Sequence, residues 1–410
     1  MDKNRLSAIK REIIAKIDTA KDISDEDVLE LIDERLKHER REHYFDLNQR
    51  MKLRRDIFNS LRRLDVLQDL IEDNEISEIM VNGPDRIFVE KKGRLYLSER
   101  SFESRAKLED IIQRMASGVN RSVNEAHPIV DVRLADGSRV NVVLPPVALD
   151  GPNVTIRKFS KEFMSMEKLV SLGSISEEAA DYLGLLVRSN YNILCSGGTG
   201  CGKSTLLNAL ARFIPLSERV VTIEDSAELD MSHLPNLVRM EAKTANVEGR
   251  GAITIRELIK TALRMRPDRL IVGEVRGREC IDMLQSLNTG HSGMSTAHAN
   301  SPEDVLSRLE TMVLLDENIP LSAVRSQIAS AIDIIIGISR MRDSSRRITK
   351  ICETDGIVNG EIVLRTLFEF REEGKGRKVT GRLVKVSDIK HHEKLVMAGL
   401  EDEFKERRRK

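Results

Sequence analysis

The chain has no tryptophan and only 4 Tyr and 10 Phe in 410 residues, so little material exists for base-stacking platforms or an aromatic membrane belt. Net charge is missing as well, with 66 Lys plus Arg against 66 Asp plus Glu. A dedicated nucleic-acid binder normally carries a basic footprint, and that class is disfavoured. Long hydrophobic runs are also absent. The most apolar window, residues 328–338, is interrupted by Asp333 and falls short of the roughly 20 residues a spanning helix needs, so any membrane contact is expected to be peripheral. Met1 is followed by Asp2, Lys3, Asn4 and Arg5 and not by an apolar stretch, so no secretory signal is read and a cytoplasmic location is expected. Four cysteines, Cys195, Cys201, Cys280 and Cys352, form no C-x-x-C pair, which disfavours a disulfide framework or a zinc site and leaves reduced thiols.

What is present fits two or three domains at roughly 150 residues each. Residues 1–64 are dense in charge, carry Leu29, Ile32 and Leu36 at helical spacing, and hold no Gly or Pro between Arg5 and Arg63. They read as a helical extension, either a docking arm or a solvated hairpin. Residues 65–159 change to short β-rich runs and turn dipeptides such as Lys92-Gly93 and Asp136-Gly137, with one helix from Lys107 to Gly118, and form an α+β domain. A linker is expected over 160–175. From 176 to 340 strands alternate with capped helices, the pattern of an α/β domain with a parallel sheet. Ser176, Thr254 with Glu257, and Ser301-Pro302 mark three helix starts. Residues 341–410 read as a small β-rich and helical appendage with a basic, frayed end at 407–410.

Gly197-Gly198-Thr199-Gly200-Cys201-Gly202-Lys203-Ser204, followed by Thr205, satisfies G-x-x-x-x-G-K-[ST] after an apolar strand and before a helix. Glycines allow a tight loop with inward N–H groups, and the helix N-terminus adds partial positive charge for phosphate oxygens. Lys203 is expected to reach the β and γ phosphates and Ser204 to ligate Mg²⁺. Carboxylates for the metal and the attacking water are expected at neighbouring strand ends. Glu224, Asp225 and Glu228 follow the strand 220–223, and Glu274 follows the strand 270–272.

With these motifs the sequence resembles the type II/IV secretion ATPase superfamily, and most closely the CpaF-type motors of Tad/Flp pilus assembly. The likeness runs from about Ile71 to Met341. Thr222 to Glu228 is similar to the family's acidic box, Arg264 to Gly277 to its Walker B, and Thr289 to Asn300 to its histidine box. The resemblance implies a RecA-like P-loop domain, a PAS-like N-terminal domain, ATP and Mg²⁺ as ligands, and a cytoplasmic homo-hexamer working on an inner-membrane platform protein. It implies that Glu228 orients water, that Glu274 and Asp225 support Mg²⁺, and that His298 senses the γ-phosphate. It also points to Arg133, Arg139 and Arg157 as phosphate-side charges, although ordinary ion pairing explains each of them equally well. Ser226-Ala227 departs from pilus extension and retraction motors, and a tetracysteine zinc module is missing; both favour the CpaF-like or type IV secretion branch.

A RecA-like nucleic-acid translocase shares the loop but conflicts with zero net charge and scarce aromatics. A ring scaffold that binds nucleotide without hydrolysis conflicts with the acidic groups at 228 and 274. The base-reading motif of GTPases and the signature of ABC-type ATPases do not occur.

Overall fold

The computed structural model describes every residue except 1–2, 18–22, 40–44, 92, 120, 159–163, 244, 246–249, 316–318, 375 and 408–410. The first part of the expected linker, Lys92 of one turn, and most of the basic end therefore lie outside the described residues. The chain divides into two compact units, Met1–Lys161 and Glu162–Lys410.

The first unit opens with α1 (Lys3–Lys16), α2 (Asp25–Glu39) and α3 (Leu47–Arg62). Ile9, Ile13, Val28, Ile32, Leu36 and Ile57 close a small core between them. Asp46 and Gln49 form a reciprocal capping box at α3. After α4 (Val66–Glu72) come β1 (Ile76–Asn82), β2 (Ile87–Lys91), β3 (Arg94–Leu97), α5 (Arg105–Ser117), β4 (Ile129–Arg133), β5 (Arg139–Val143) and β6 (Asn153–Arg157). The six strands form one sheet in the order β3-β2-β1-β6-β5-β4, every described pairing antiparallel. Leu108, Ile111, Ile112 and Met115 on one face of α5 pack against it.

The second unit begins with α6 (Met166–Ser171), capped by Ser165 inside the stretch expected as linker. Met166 and Leu169 enter the main core, so burial orders this segment. The alternation that follows is α7 (Glu177–Arg188), β7 (Ile193–Ser196), α8 (Lys203–Ala211), β8 (Val220–Glu224), β9 (Leu237–Glu241), α9 (Ile255–Ala262), β10 (Arg269–Val275), α10 (Glu279–Asn288), β11 (Ser292–Ala297), α11 (Pro302–Leu314), α12 (Leu321–Ala331) and β12 (Ile334–Arg340). Ser176, Thr254 and Ser301 are the N-caps that the sequence indicates. Strands β12-β7-β11-β10-β8-β9 run parallel. Residues of β7, β8 and β11 are buried throughout, as a sheet covered on both faces requires.

The expected C-terminal appendage is corrected. β13 (Arg346–Val358), β14 (Glu361–Glu372) and β15 (Gly381–Lys385) join β12 antiparallel and extend the same sheet to nine strands among the described residues. Ile348, Leu367, Phe368 and Leu383 share the core of α7 and α8, as do Leu395 of α13 (Glu393–Met397) and Phe404 of α14 (Glu401–Arg407). All four cysteines are free and buried.

Gly293 on β11 shows how closely helix and strand approach: an added Cβ would stand 2.5 Å from the Leu270 carbonyl oxygen and 2.7 Å from Leu287 Cδ2. Gly293→Ala is expected to destabilise the second unit by about 2 kcal/mol, because a backbone carbonyl cannot step aside as a side chain can. Denaturant unfolding of the purified variant checks this; an unchanged midpoint would contradict it.

Candidate functional site

Parallel strands bring their C-terminal ends to one edge, and there the chain leaves β7 at Ser196 and enters α8 at Lys203. Between them Gly200 (φ +70°) and Gly202 (φ +104°) take left-handed backbone, which L side chains resist. At Gly197 a Cβ would collide with Cys201 Sγ and with the Ile338 carbonyl oxygen, both 2.4 Å away. Thr199 sits exposed at the crown, with Gly198 and Gly200 beside it, and Cys201 is buried beneath. Arg346 of β13 donates from Nε to Gly200 O at 3.0 Å.

Lys203, only 8% exposed, folds back over the loop. Its Nζ donates to Gly197 O (3.0 Å) and Gly198 O (3.2 Å), lies 3.3 Å from His298 Nδ1, and stands 4.0 Å from Glu274 Oε1. Burial pushes its pKa down, opposed by the neighbouring acidic groups. An ammonium only donates, so His298 Nδ1 is the acceptor and the ring proton belongs on Nε2, which lies 2.7 Å from Glu274 Oε1 without a formed hydrogen bond. Desolvation first, then the Lys203 charge, lower the His298 pKa and keep the ring neutral. The other oxygen of Glu274 accepts both Arg276 Nε (2.8 Å) and Nη2 (2.6 Å), and Arg276 Nη1 lies 3.6 Å from Asp225.

A β-bulge aims Glu274. Val272 pairs with Ser295 and Val275 with Ala297, so Gly273 and Glu274 occupy a stretch that Thr296 alone covers on β11. Thr296 Oγ1 donates to Gly273 O at 2.8 Å. Lacking a side chain, Gly273 also leaves room for Glu224, whose Cγ would stand 2.9 Å from a Cβ there.

Glu224 is 3% exposed and turned inward, where its Oε1 accepts the amides of Glu228 (2.7 Å) and Leu229 (2.9 Å). It shapes the turn that presents Glu228. Glu228 in turn accepts a hydrogen bond from Ser204 Oγ at 3.0 Å. Thr205 follows on the first turn of α8, partly buried. Lys203, Ser204, Glu228, Glu274 and His298 thus converge on the loop, with Asp225 joined through Arg276. His291 does not join them, because it precedes β11 and a strand of this length separates it from His298 by about 20 Å.

Arg133, Arg139 and Arg157 lie in the first unit, directly opposite one another in register across β4, β5 and β6. Two polar partners in the site were not foreseen. Arg276 stands in the Glu274 stretch, and its position two residues on was an available signal. Arg346 lies 146 residues from Gly200, and no local pattern announces it.

The family model for type II/IV secretion system proteins matches residues 61–387. A putative conjugal transfer protein of Mycobacterium tuberculosis is 37% identical over 293 residues, covering 70% of this chain and 83% of its own. The type IV secretion system protein PtlH of Bordetella pertussis is 32% identical over 321 residues, 72% of this chain and 95% of its own. The crystal structure of the ATPase DotB from Yersinia pseudotuberculosis aligns with a TM-score of 0.52 at 18% identity, over 71% of this chain and 78% of that one, a likeness of fold.

The Glu224 carboxyl makes stability depend on pH. Burial raises its carboxyl above the ordinary 4.5, so the folded chain holds that proton more tightly than the unfolded chain does. The sign follows: its contribution to stability falls as pH rises above 4.5. Glu224→Gln keeps an acceptor for both amides and is expected to lose that slope, whereas Glu224→Ala strands two amides and costs about 1–3 kcal/mol at either pH. Urea unfolding at about pH 5 and about pH 8 separates the two variants, and equal behaviour would refute this role.

Proposed function

This chain belongs to the type II/IV secretion system protein family, and we propose that it is an ATP-hydrolysing motor that drives pilus assembly or protein secretion at the inner membrane. One observation carries the reading: Lys203, the Ser204–Glu228 pair and the Glu274–His298 pair converge on the loop at 197–204. Left-handed glycines, a buried lysine and a hydroxyl on the first helical turn suit a triphosphate tail.

In the proposed reaction water attacks the γ-phosphorus in line and the bond to the β-phosphate breaks. Lys203 and the loop amides hold the phosphate oxygens as negative charge grows on the leaving group. Glu228 turns from Ser204 to hold the attacking water and take its proton. His298, neutral and donating from Nε2, exchanges Glu274 for a phosphate oxygen. Mg²⁺ would be held by Ser204 and, through water, by Glu274 and Asp225, and would neutralise phosphate charge. Among the described residues no cluster of three or more metal-binding side chains occurs. That agrees with an ion held mainly by phosphates and water.

The arginine row of β4, β5 and β6 is assigned a supporting role as positive charge for the nucleotide. The three stand in register on adjacent strands, Arg133 opposite Arg139 and Arg139 opposite Arg157. Assembly is proposed as a homo-hexamer acting with a membrane platform protein. Among the described residues no helix is long and apolar enough to cross a membrane, which agrees with attachment through that partner.

For cargo, the likeness of the motifs to CpaF-type motors supports a Tad/Flp-type pilus, while Ser226-Ala227 in the acidic box and the missing tetracysteine module fit that branch and the type IV secretion branch alike. The conjugal-transfer and type IV secretion descriptions of the two relatives favour a second reading, a type IV secretion traffic ATPase. Reconstitution with a platform protein from the same genome separates them by which partner raises turnover.

Steady-state phosphate release tests the core of the proposal. Lys203→Ala is expected to lower turnover by about 100-fold or more, and Glu228→Ala to lower it comparably while still binding nucleotide. Phosphate release near the parent rate in either purified variant would reject the assignment.

A further inference from the structure

The outer wall of the phosphate loop is built by a segment that the proposed chemistry does not use. β12 continues past the end of β7: Gly337 is the register partner of Ser196, and Ile338 to Arg340 run on beside the loop. The Ile338 carbonyl oxygen crowds Gly197, and Ile338 Cδ1 would lie 3.6 Å from a Cβ at Gly202. A turn then brings the chain back to Arg346, the register partner of Arg340. Asp343 fixes that turn by accepting from Ser345 N (3.0 Å), Ser345 Oγ (2.6 Å) and Val379 N (2.8 Å).

A loop that turns its amides inward turns carbonyls outward, and water satisfies most of them. Here Arg346 takes the Gly200 carbonyl through Nε, with its Cδ 3.4 Å from where a Gly202 side chain would begin. Any neutral donor would serve one carbonyl. A guanidinium brings a permanent charge and five N–H donors, and this one commits a single N–H. Among the described residues its Nη groups make no hydrogen bond or ion pair, and the side chain is exposed. Its charge reaches into the loop, where it works against the upward push that burial gives the Cys201 thiol.

We propose that Arg346 is a nucleotide-binding residue, holding residues 199–201 in their receptive arrangement through Gly200 O and offering its Nη donors to the phosphate oxygens of the bound nucleotide. This rests on the proposal that the loop binds ATP. It adds a cation supplied by the same unit as the loop, from the antiparallel wing of the sheet.

The test is equilibrium titration of the full-length chain with fluorescent ATP, with tripolyphosphate as competitor, alongside KM and kcat. Arg346→Ala removes a charge-assisted hydrogen bond to phosphate, so it is expected to weaken both ligands about tenfold and to raise KM more than it lowers kcat. Arg346→Lys should recover most of that affinity, and Arg346→Gln, which keeps a donor without the charge, less. Affinities within about twofold of the parent in Arg346→Ala, with Lys203→Ala still abolishing binding, would overturn the proposal. Weaker ATP binding with unchanged tripolyphosphate binding would place the guanidinium on the nucleoside and overturn the phosphate assignment. A parent chain that binds no ATP would instead refute the reading on which the inference rests. Because Arg346 is exposed, circular dichroism is expected to show each variant folded.

Discussion

A buried ammonium organises this site. Taking an unpaired charge out of water costs several kcal/mol, yet Lys203 stays beneath the loop because two carbonyls, a ring nitrogen and a nearby carboxylate surround it. Each charge-assisted hydrogen bond returns about 1.5–3 kcal/mol, enough in sum to retain the proton. The constraint then propagates. A lysine that donates to Nδ1 sets the tautomer of His298, Nε2 of that ring stands 2.7 Å from Glu274, and Glu274 orders Arg276 and through it Asp225. In the proposed reaction, phosphate oxygens would replace the carbonyls as partners of the ammonium, and ligand binding would release a network that the site already holds in place.

The sheet supplies the rigidity that such a network needs. β7, β8, β10 and β11 end at one edge, each hydrogen-bonded to its neighbours, and β7, β8 and β11 are buried along their whole length. Small irregularities do the aiming. The bulge at Gly273–Glu274 turns one carboxylate toward the lysine, and the absence of a side chain at Gly273 lets Glu224 reach two amides of the Glu228 turn. Glu224 and Glu274 look alike in sequence, each closing an apolar strand. Their environments separate them: one is sealed inside and braces backbone, the other stands at the loop.

Much of this was legible because it is local. A glycine's φ, a capping serine and a continuous apolar strand depend on a few neighbours, so the loop, the starts of α7, α9 and α11 and the parallel strands could be read directly. Residues that depend on distant partners were not legible. α6 is short, and its order comes from Met166 and Leu169 entering a core built elsewhere. β9 is half exposed, with Arg239 inside it, and gains strand structure only by pairing with β8. The final strands read as an appendage because nothing in their alternation says that β13 pairs with β12. Arg346 is the sharpest case, since its hydrogen bond to Gly200 exists only once that pairing has formed.

The arginine row of the first unit raises the complementary question of what an arrangement costs. Arg133, Arg139 and Arg157 stand opposite one another on three adjacent strands, and Glu78, the β1 partner of Arg157, lies 3.7 Å from it. Exposed ion pairs contribute under about 1 kcal/mol each, while directly opposed like charges cost a similar amount. The same strands bury Val132, Val140 and Ile156 on their other face, where the residue type is dictated by the core. Polar faces are free to vary in composition, so the core that fixes Val132, Val140 and Ile156 leaves the residue type at positions 133, 139 and 157 open.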